Sequence, residues 1–177
     1  MKLTLFVMTL ALTLLVAAAA NAQQPWSSIA SGCVPDLASK SLIDAAHGTV
    51  TFGTGKSGHI KLSCPVQGVF NIHPQDVNDL VLTFYNDGGF VGGVNHCTIQ
   101  ADLLRSNLNN VEHGGDLAAI STSGQSYSGR HTLDRGLSEP LDFSTSFYWV
   151  DINLFRDSGS ASCNPAVVGT YLNIVIP

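Results

Sequence analysis

The chain has 177 residues, with 13 acidic against 8 basic side chains and a formal net charge of −5 at pH 7. The charges are spread without blocks, which argues against a nucleic-acid partner, because such binding uses clusters of Lys and Arg. Charged residues make up only 12% of the chain and 17 residues are Gly, a composition typical of a secreted β protein with short strands.

Residues 1–22 have the features of a secretory signal peptide. Lys2 precedes a long apolar run, which ends in the small-x-small pattern Ala20-Asn21-Ala22. A retained membrane anchor is the alternative, because the run approaches the roughly 18 to 20 residues that a spanning helix needs. The Ala-rich end and the single flanking charge favour cleavage after Ala22. We therefore expect a secreted protein without stable membrane insertion, formed by residues 23–177 as a single domain.

One helix and a series of strands are predicted for the rest of the chain. Pro35 to Gly48 is the candidate helix, with Pro near its start and Gly at its end. From Gly48 onward, apolar and polar residues alternate, which places one strand face on a core and the other in solvent. The predicted strands are GTVTF (48–52), GHIKLS (58–63), LVLTFYN (80–86), NHCTIQADLL (95–104), DLAAIS (116–121), PLDFS (140–144), SFYWVDINLF (146–155) and VGTYLNIVI (168–176).

Gly-rich and polar segments separate these strands. Gly53 to Gly58 is predicted to be a hairpin turn and not a phosphate-binding loop, since no helix follows its Lys-Ser pair. Asn86 to Gly89 supplies residues for another reversal. Ser121 to Gly136 is predicted to be a long loop or a poorly formed hairpin at a sheet edge. Many short strands joined by turns predict an all-β fold, a single antiparallel β-sandwich of jelly-roll-like or immunoglobulin-like architecture.

Four cysteines are present, Cys33, Cys64, Cys97 and Cys163. An exported protein is expected to pair them, and none are spaced as a CxxC redox or zinc motif. Four cysteines allow three connectivities, among which spacing does not choose. We favour Cys33 with Cys64 and Cys97 with Cys163, because the first bridge would tie down an N-terminal segment that otherwise frays.

The strand FYWVDINLF, residues 147–155, carries apolar side chains on both faces. Its even positions are all apolar, as a core face requires. Its odd positions mix aromatic rings with a carboxylate and an amide, and they are Phe147, Trp149, Asp151, Asn153 and Phe155. Rings that stack on pyranoses, next to groups that bond to hydroxyls, are typical of a sugar-binding platform.

Two other interpretations of this strand remain open. The odd face is covered by the Ser121 to Gly136 segment or by the segment that carries Trp26, which we favour because exposed aromatic patches are costly on a monomer. Alternatively, a second subunit buries the same face.

Oxygen ligands for calcium are offered by Asp76, Asn78 and Asp79, without the twelve-residue pattern of a specific calcium loop. The six histidines show no metal-site spacing, so no other metal and no cofactor is predicted. Glu139 with Asp142 or Asp151 is the carboxylate pair to consider for glycoside cleavage. Solvated loop acids are the more common explanation, so we assign no catalytic residue.

Several stretches of the chain resemble a set of small exported bacterial proteins that has no assigned activity. The shared patterns are C-x-P-D, L-x-C-P-V and D-F-x(4)-Y-x-V-x-I/L-x-L, here Cys33 to Asp36, Leu62 to Val66 and Asp142 to Leu154, together with LTFYNDG (82–88) and VVGTYL (167–172). The resemblance implies a secreted bacterial β-sandwich and supplies no catalytic residues.

Our leading hypothesis from the sequence is a non-enzymatic protein that associates with itself, as an oligomer or filament, or with a surface partner. The contact would use sheet edges or the face of Phe147, Trp149 and Phe155, and the terminal strand GTYLNIVI could pair with another chain if it lies at an edge. The first alternative is a carbohydrate-binding module for a polysaccharide, with Trp149 as the stacking anchor and Asp151 and Asn153 as hydrogen-bonding groups. The second alternative is a glycoside hydrolase-like enzyme.

Overall fold

The computed structural model describes residues 26–68, 74–86, 89–108, 113–159 and 163–174, so the predicted signal peptide lies outside the described residues. Strands dominate this part of the chain. They are β1 (Trp26–Ile29), β2 (Val34–Pro35), β3 (Ile43–Ala46), β4 (Thr49–Phe52), β5 (Gly58–Val66), β6 (Asp79–Tyr85), β7 (Phe90–Val91), β8 (Val94–Asn95), β9 (Cys97–Asn107), β10 (His113–Ser121), β11 (Arg130–Gly136), β12 (Ser146–Arg156) and β13 (Ala166–Asn173). Short 3-10 helices lie at Ala30–Gly32, Ser39–Ser41 and Pro74–Asp76. Within the described ranges, no helix is long and apolar enough to cross a membrane.

Two antiparallel sheets contain most of these strands. The first sheet has the order β11-β6-β13-β4-β3, with β1 also paired to β13. The second sheet has the order β10-β9-β12-β5-β2, and β7 and β8 form a separate ribbon. Every one of these pairs is antiparallel. The predicted antiparallel β-sandwich is confirmed.

The hydrophobic core is formed by the facing sides of the two sheets. Side chains from both sheets belong to one buried cluster, which includes Leu62, Leu82, Phe84, Ile152 and Leu172. Each of these five is at most 1% exposed. Burying an apolar side chain of this size contributes roughly 1.5 to 3 kcal/mol, so the packing of the sheets is the main source of stability.

The last strand, β13, lies inside the first sheet and is not an edge. It pairs with β6 on one side, and on the other side with β4 through Ala166 and Val167 and with β1 further along. A side chain at Gly169 would place its Cβ 2.5 Å from the carbonyl oxygen of Ser28, so β1 reaches β13 only because this residue is Gly. The condition for association through the terminal strand, a position at the sheet edge, is therefore not met.

The predicted helix from Pro35 to Gly48 is also wrong. This segment holds β2, a 3-10 helix and β3, and β3 forms a hairpin with β4. The Asp36 carboxylate accepts a hydrogen bond from the Ser39 backbone at 2.7 Å, which stabilises a tight turn. His47 and Gly48 have φ values of 53° and 85°, as the two central residues of a type I′ hairpin require. Gly48 is therefore a hairpin residue and not a helix cap.

Three other local predictions differ from the structure in whole or in part. Gly53 to Gly58 is not a hairpin turn, since β4 belongs to the first sheet and β5 to the second. Ser121 to Gly136 contains a regular edge strand, β11, paired with β6 over seven residues. PLDFS contains no strand, because Asp142 accepts hydrogen bonds from the Ser144 and Thr145 side chains and holds a turn. The Asn86 to Gly89 reversal lies partly outside the described residues, which omit 87 and 88.

Two disulfides connect parts of the chain that are far apart in sequence. Cys33 is bonded to Cys64 and Cys97 to Cys163, with sequence separations of 31 and 66. The first bridge ties the segment after β1 to β5, and the second ties the start of β9 to the segment before β13. The favoured pairing is confirmed, and each bridge stabilises the fold by roughly 3 to 4.5 kcal/mol in the chain-entropy model.

Candidate functional site

The strand β12 lies in the middle of the second sheet, between β9 and β5. Its even positions face the core, and Val150, Ile152 and Leu154 are fully buried. Its odd positions therefore point away from the core, since successive side chains alternate. Together with their neighbours on β5 and β9 they form what we call the outer face.

Most of the two segments that we expected to cover the outer face lies elsewhere, although Ser123 of the Ser121 to Gly136 segment borders the face beside Phe155. Trp26 belongs to β1 of the first sheet and packs against the core. Residues 130–136 form the edge strand of that same sheet. On the outer face, the Phe147 side chain is 64% exposed, and Trp149, Asn153 and Phe155 are partly exposed. The two segments therefore do not cover the face as we expected, since its aromatic side chains stay at least partly exposed.

The strand register arranges the outer face in rows across the sheet. Each odd residue of β12 has one partner on β5 and one on β9, except Phe147, which lies opposite Ser106 on β9. The other rows are Pro65–Trp149–Leu104, Ser63–Asp151–Asp102, Lys61–Asn153–Gln100 and His59–Phe155–Thr98. The Asp151 and Asn153 rows are polar, and we call them the polar belt. The belt lies between the apolar row of Trp149 and the row of Phe155, which contains two aromatic rings.

The charged groups of the polar belt are held by specific partners. Lys61 Nζ lies 3.1 Å from Asp151 Oδ2. Gln100 Nε2 donates to both carboxylate oxygens of Asp102, each at 2.9 Å. Burial raises the pKa of the Asp102 carboxyl, and the nearby carboxylates of Asp116 and Asp151 raise it further, while the Gln100 hydrogen bond acts in the opposite direction.

A depression of about 520 Å³ lies at the Phe155 end of the outer face. Its lining residues are His59, Asn95, Thr98, Gln100, Ser123, Asn153 and Phe155. The rings of His59 and Phe155 are 4.8 Å apart at their centroids, with an angle of 37° between their planes. Aromatic surface and uncharged hydrogen-bonding groups thus meet in one concave site, as is usual for small-ligand sites.

The β7–β8 ribbon contributes its last residue, Asn95, to one wall of the depression. The turn of this ribbon contains Gly92 and Gly93 with φ values of 60° and 85°, which a type I′ hairpin requires. The ribbon carries Asn95, whose Nδ2 donates to Ser123 Oγ at 3.1 Å and whose Oδ1 accepts from the Gly124 backbone at 2.8 Å. Both the nitrogen and the oxygen of the Asn95 amide are therefore hydrogen-bonded to the Ser123–Gly124 segment, which fixes the position of Asn95.

The carboxylates considered for glycoside cleavage have separate partners. Glu139 Oε2 lies 2.8 Å from Arg105 Nη1, and Asp151 is paired with Lys61. Hydrogen bonds from Ser144, and then from Thr145, hold the pKa of the Asp142 carboxyl below its usual value. Asp142 therefore favours the ionised form and stabilises the turn of residues 142–145. A general acid needs the opposite, a carboxyl group that keeps its proton.

The three candidate calcium ligands Asp76, Asn78 and Asp79 lie in different structural elements. Asp76 ends a 3-10 helix, and Asp79 begins β6. The backbone of Asn78 donates to the Asn173 carbonyl and accepts from the Leu137 N–H. Across the described ranges, no group of three or more His, Cys, Asp or Glu side chains is arranged to hold a metal ion.

Sequence reasoning named the β12 residues but missed the rest of the depression. In the sequence, Thr98 and Gln100 are polar positions of the predicted strand NHCTIQADLL, and His59 lies in GHIKLS and is one of the six histidines without metal-site spacing. Their position beside Asn153 and Phe155 depends on which strands pair. Asn95 and Ser123 carry no sequence signal of their own.

No family model matches the chain, and no curated protein matches it in sequence. Among solved structures, it is similar to the carbohydrate recognition domain of Emp46p, at 11% identity and a TM-score of 0.43, over 76% of this chain and 87% of that one. It is similar to the family 11 carbohydrate-binding module of the cellulase Lic26A-Cel5E of Clostridium thermocellum, at 9% identity and a TM-score of 0.42, over 76% and 81%. It is also similar to the low-affinity xylan-binding module CBM86 from Roseburia intestinalis, at 16% identity and a TM-score of 0.43, over 85% and 95%. These similarities concern the sandwich fold alone.

Proposed function

We propose that this is a secreted, non-catalytic protein that binds a polysaccharide on the outer face of its second sheet. One observation carries the proposal: the aromatic and amide side chains of β12 lie beside a depression of about 520 Å³ on an outward sheet face. The two disulfides fit an oxidising, extracytoplasmic location.

The chemistry of the outer face suits a sugar ligand. Aromatic rings offer flat apolar surface for the C–H face of a pyranose, and amides both donate to and accept from hydroxyls. Trp149 and Phe155 are six residues apart on one strand, about 20 Å at the rise of a β-strand. The face is therefore long enough for several sugar rings.

The binding groups are held in place before a ligand arrives. β12 is hydrogen-bonded on both sides, by β9 and β5. The Gln100 amide is fixed by Asp102, so little side-chain entropy is lost on binding at this position.

The proposal is tested on the oxidised protein without residues 1–22. Affinity electrophoresis and titration calorimetry with xylan, mixed-linkage glucan and glucomannan should detect binding to one of them. The double variant Trp149→Ala/Phe155→Ala should weaken that binding by tenfold or more, on the order of 1.4 kcal/mol. The control is Tyr85→Ala, which removes a 37% exposed ring from β6 of the first sheet and should not change affinity. Failure of the wild-type protein to bind a wide panel of polysaccharides would reject the proposal.

A second candidate function is association with another copy of the chain through the same face. It is favoured by Phe147 and Val34, each 64% exposed, since Val34 lies opposite Ser63 in the row of Asp151. Exposed apolar side chains of this size favour a contact. Light scattering should then detect dimers or larger species that Phe147→Asp converts to monomers. A monomer at millimolar concentration would exclude this candidate.

A further inference from the structure

We infer that the primary subsite is the depression at Phe155, that it takes an uncharged glycan, and that the bound glycan crosses the strands of the second sheet. This inference rests on the proposed polysaccharide binding and makes it specific. It moves the stacking anchor away from Trp149, the residue that the sequence favoured.

The direction follows from which strands supply the lining. His59 lies on β5, Asn153 and Phe155 on β12, and Thr98 and Gln100 on β9. Neighbouring strands are about 4.8 Å apart, so the row His59–Phe155–Thr98 alone extends roughly 10 Å across the sheet. The lining continues in the same direction to Ser123, beyond the end of β10. The long axis of the depression is therefore perpendicular to β12.

Trp149 lies outside this arrangement. It does not line the depression, and it is separated from Phe155 by about 20 Å along the strand. The Asp151 and Asn153 rows lie between them. A glycan that crosses the sheet at Phe155 would not reach the indole.

The ligand class follows from the charge of the lining. Apart from the His59 imidazole, every side chain that lines the depression is an uncharged amide, hydroxyl or phenyl group. Amides and hydroxyls match sugar hydroxyls as both donors and acceptors. A uronate or sulfate group would require a cation for tight binding, and the nearby Lys61 is engaged with Asp151. The depression is therefore suited to neutral sugars.

Two hydrogen-bond directions can be assigned. Gln100 Nε2 donates to both carboxylate oxygens of Asp102, so its Oε1 points away from Asp102 and remains an acceptor for a sugar hydroxyl. Ser123 Oγ accepts from Asn95, so its own proton can be donated. Asp102 is a positioning residue, because it acts on the ligand only through Gln100.

Calorimetric titration with neutral hexasaccharides of glucose, xylose and mannose tests the inference, with hexagalacturonate as the acidic probe. We expect Phe155→Ala and Gln100→Ala each to weaken binding of the preferred neutral probe by about tenfold, and Trp149→Ala by less than about threefold. Gln100 is exposed, so its variant will fold even if Phe155→Ala does not; circular dichroism verifies both.

The outcomes separate this inference from the proposed function. If a neutral glycan binds but Trp149→Ala abolishes binding while Phe155→Ala and Gln100→Ala do not, the subsite is wrong and the proposed function stands. Tighter binding of hexagalacturonate than of the neutral probes would overturn the ligand class. If the wild-type protein binds none of these glycans, the proposed function and the inference both fail.

Discussion

Asp102 on β9 lies directly opposite Asp151 on β12, so two carboxylates stand side by side on the outer face. Like charges in this position destabilise a sheet. Each carboxylate has a donor of its own, Gln100 for Asp102 and Lys61 for Asp151. The two adjacent carboxylates thus lower the stability of the sheet locally. They also hold Gln100 and Lys61 in fixed positions, and Gln100 lines the depression.

The first prediction concerns Asp102 and pH. Because its pKa is raised in the folded state, the folded protein binds the proton more tightly than the unfolded chain. Its contribution to stability is therefore fully present below the unfolded pKa of 3.8 and is lost as the pH rises through the raised folded value. Asp102→Asn should raise the free energy of unfolding at pH 7 by about 0.5 to 1 kcal/mol, with a smaller gain at pH 3.

Urea denaturation at several pH values measures this effect. Asp134→Asn on the exposed edge strand β11 is the control and should change stability little at either pH. An Asp102→Asn protein that is less stable than the wild type at pH 7 would contradict the prediction.

The second prediction concerns the Lys61–Asp151 ion pair. Lys61→Met should destabilise the protein by about 0.5 to 1 kcal/mol at pH 7 and low salt, because it leaves two adjacent carboxylates without a cation. The Lys61 side chain is 52% exposed, so the loss should shrink in 0.5 M salt. A double-mutant cycle with Asp151→Asn isolates the interaction, and a coupling energy near zero would show that the pair contributes nothing.

The third prediction concerns the disulfides. Cys33→Ala/Cys64→Ala and Cys97→Ala/Cys163→Ala should each lower the free energy of unfolding by roughly 3 to 4.5 kcal/mol. The second variant should lose more, since its bridge closes a loop of 66 residues against 31. Guanidinium denaturation of each variant measures the loss, and equal stability with and without either bridge would argue against the pairing.

The fourth prediction concerns Gly169. Gly169→Ala should destabilise the protein by about 1 to 3 kcal/mol, because the new Cβ would lie 2.5 Å from the Ser28 carbonyl oxygen and push β1 away. Gly115→Ala is the matched control, since a Cβ there meets no atom within 4 Å. Thermal unfolding of both variants provides the comparison. A Gly169→Ala protein as stable as the control would show that β1 can move without cost.

Some local sequence signals misled us, and each failure has a structural cause. The Pro and Gly around residues 35–48 are typical of helix ends, but here they belong to a short strand and a hairpin turn. The strand β13 could have paired with another chain only as an edge strand, yet β1 and β4 complete its second side. In the first case the neighbouring strand β4 turns the segment into a hairpin, and in the second case the missing information was the pairing with β1 and β4, which are distant in sequence.

The sequence by itself determined the strand-rich fold and the two faces of β12, because alternation is a local property of the chain. It also determined that four cysteines would form bridges in an exported protein, although their pairing needed a guess. Only the tertiary structure decided which residues stand beside β12, since that depends on the pairing of β5, β9 and β12 across long separations. The depression at Phe155 exists for this reason: its lining comes from segments between residues 59 and 155 that no local pattern connects.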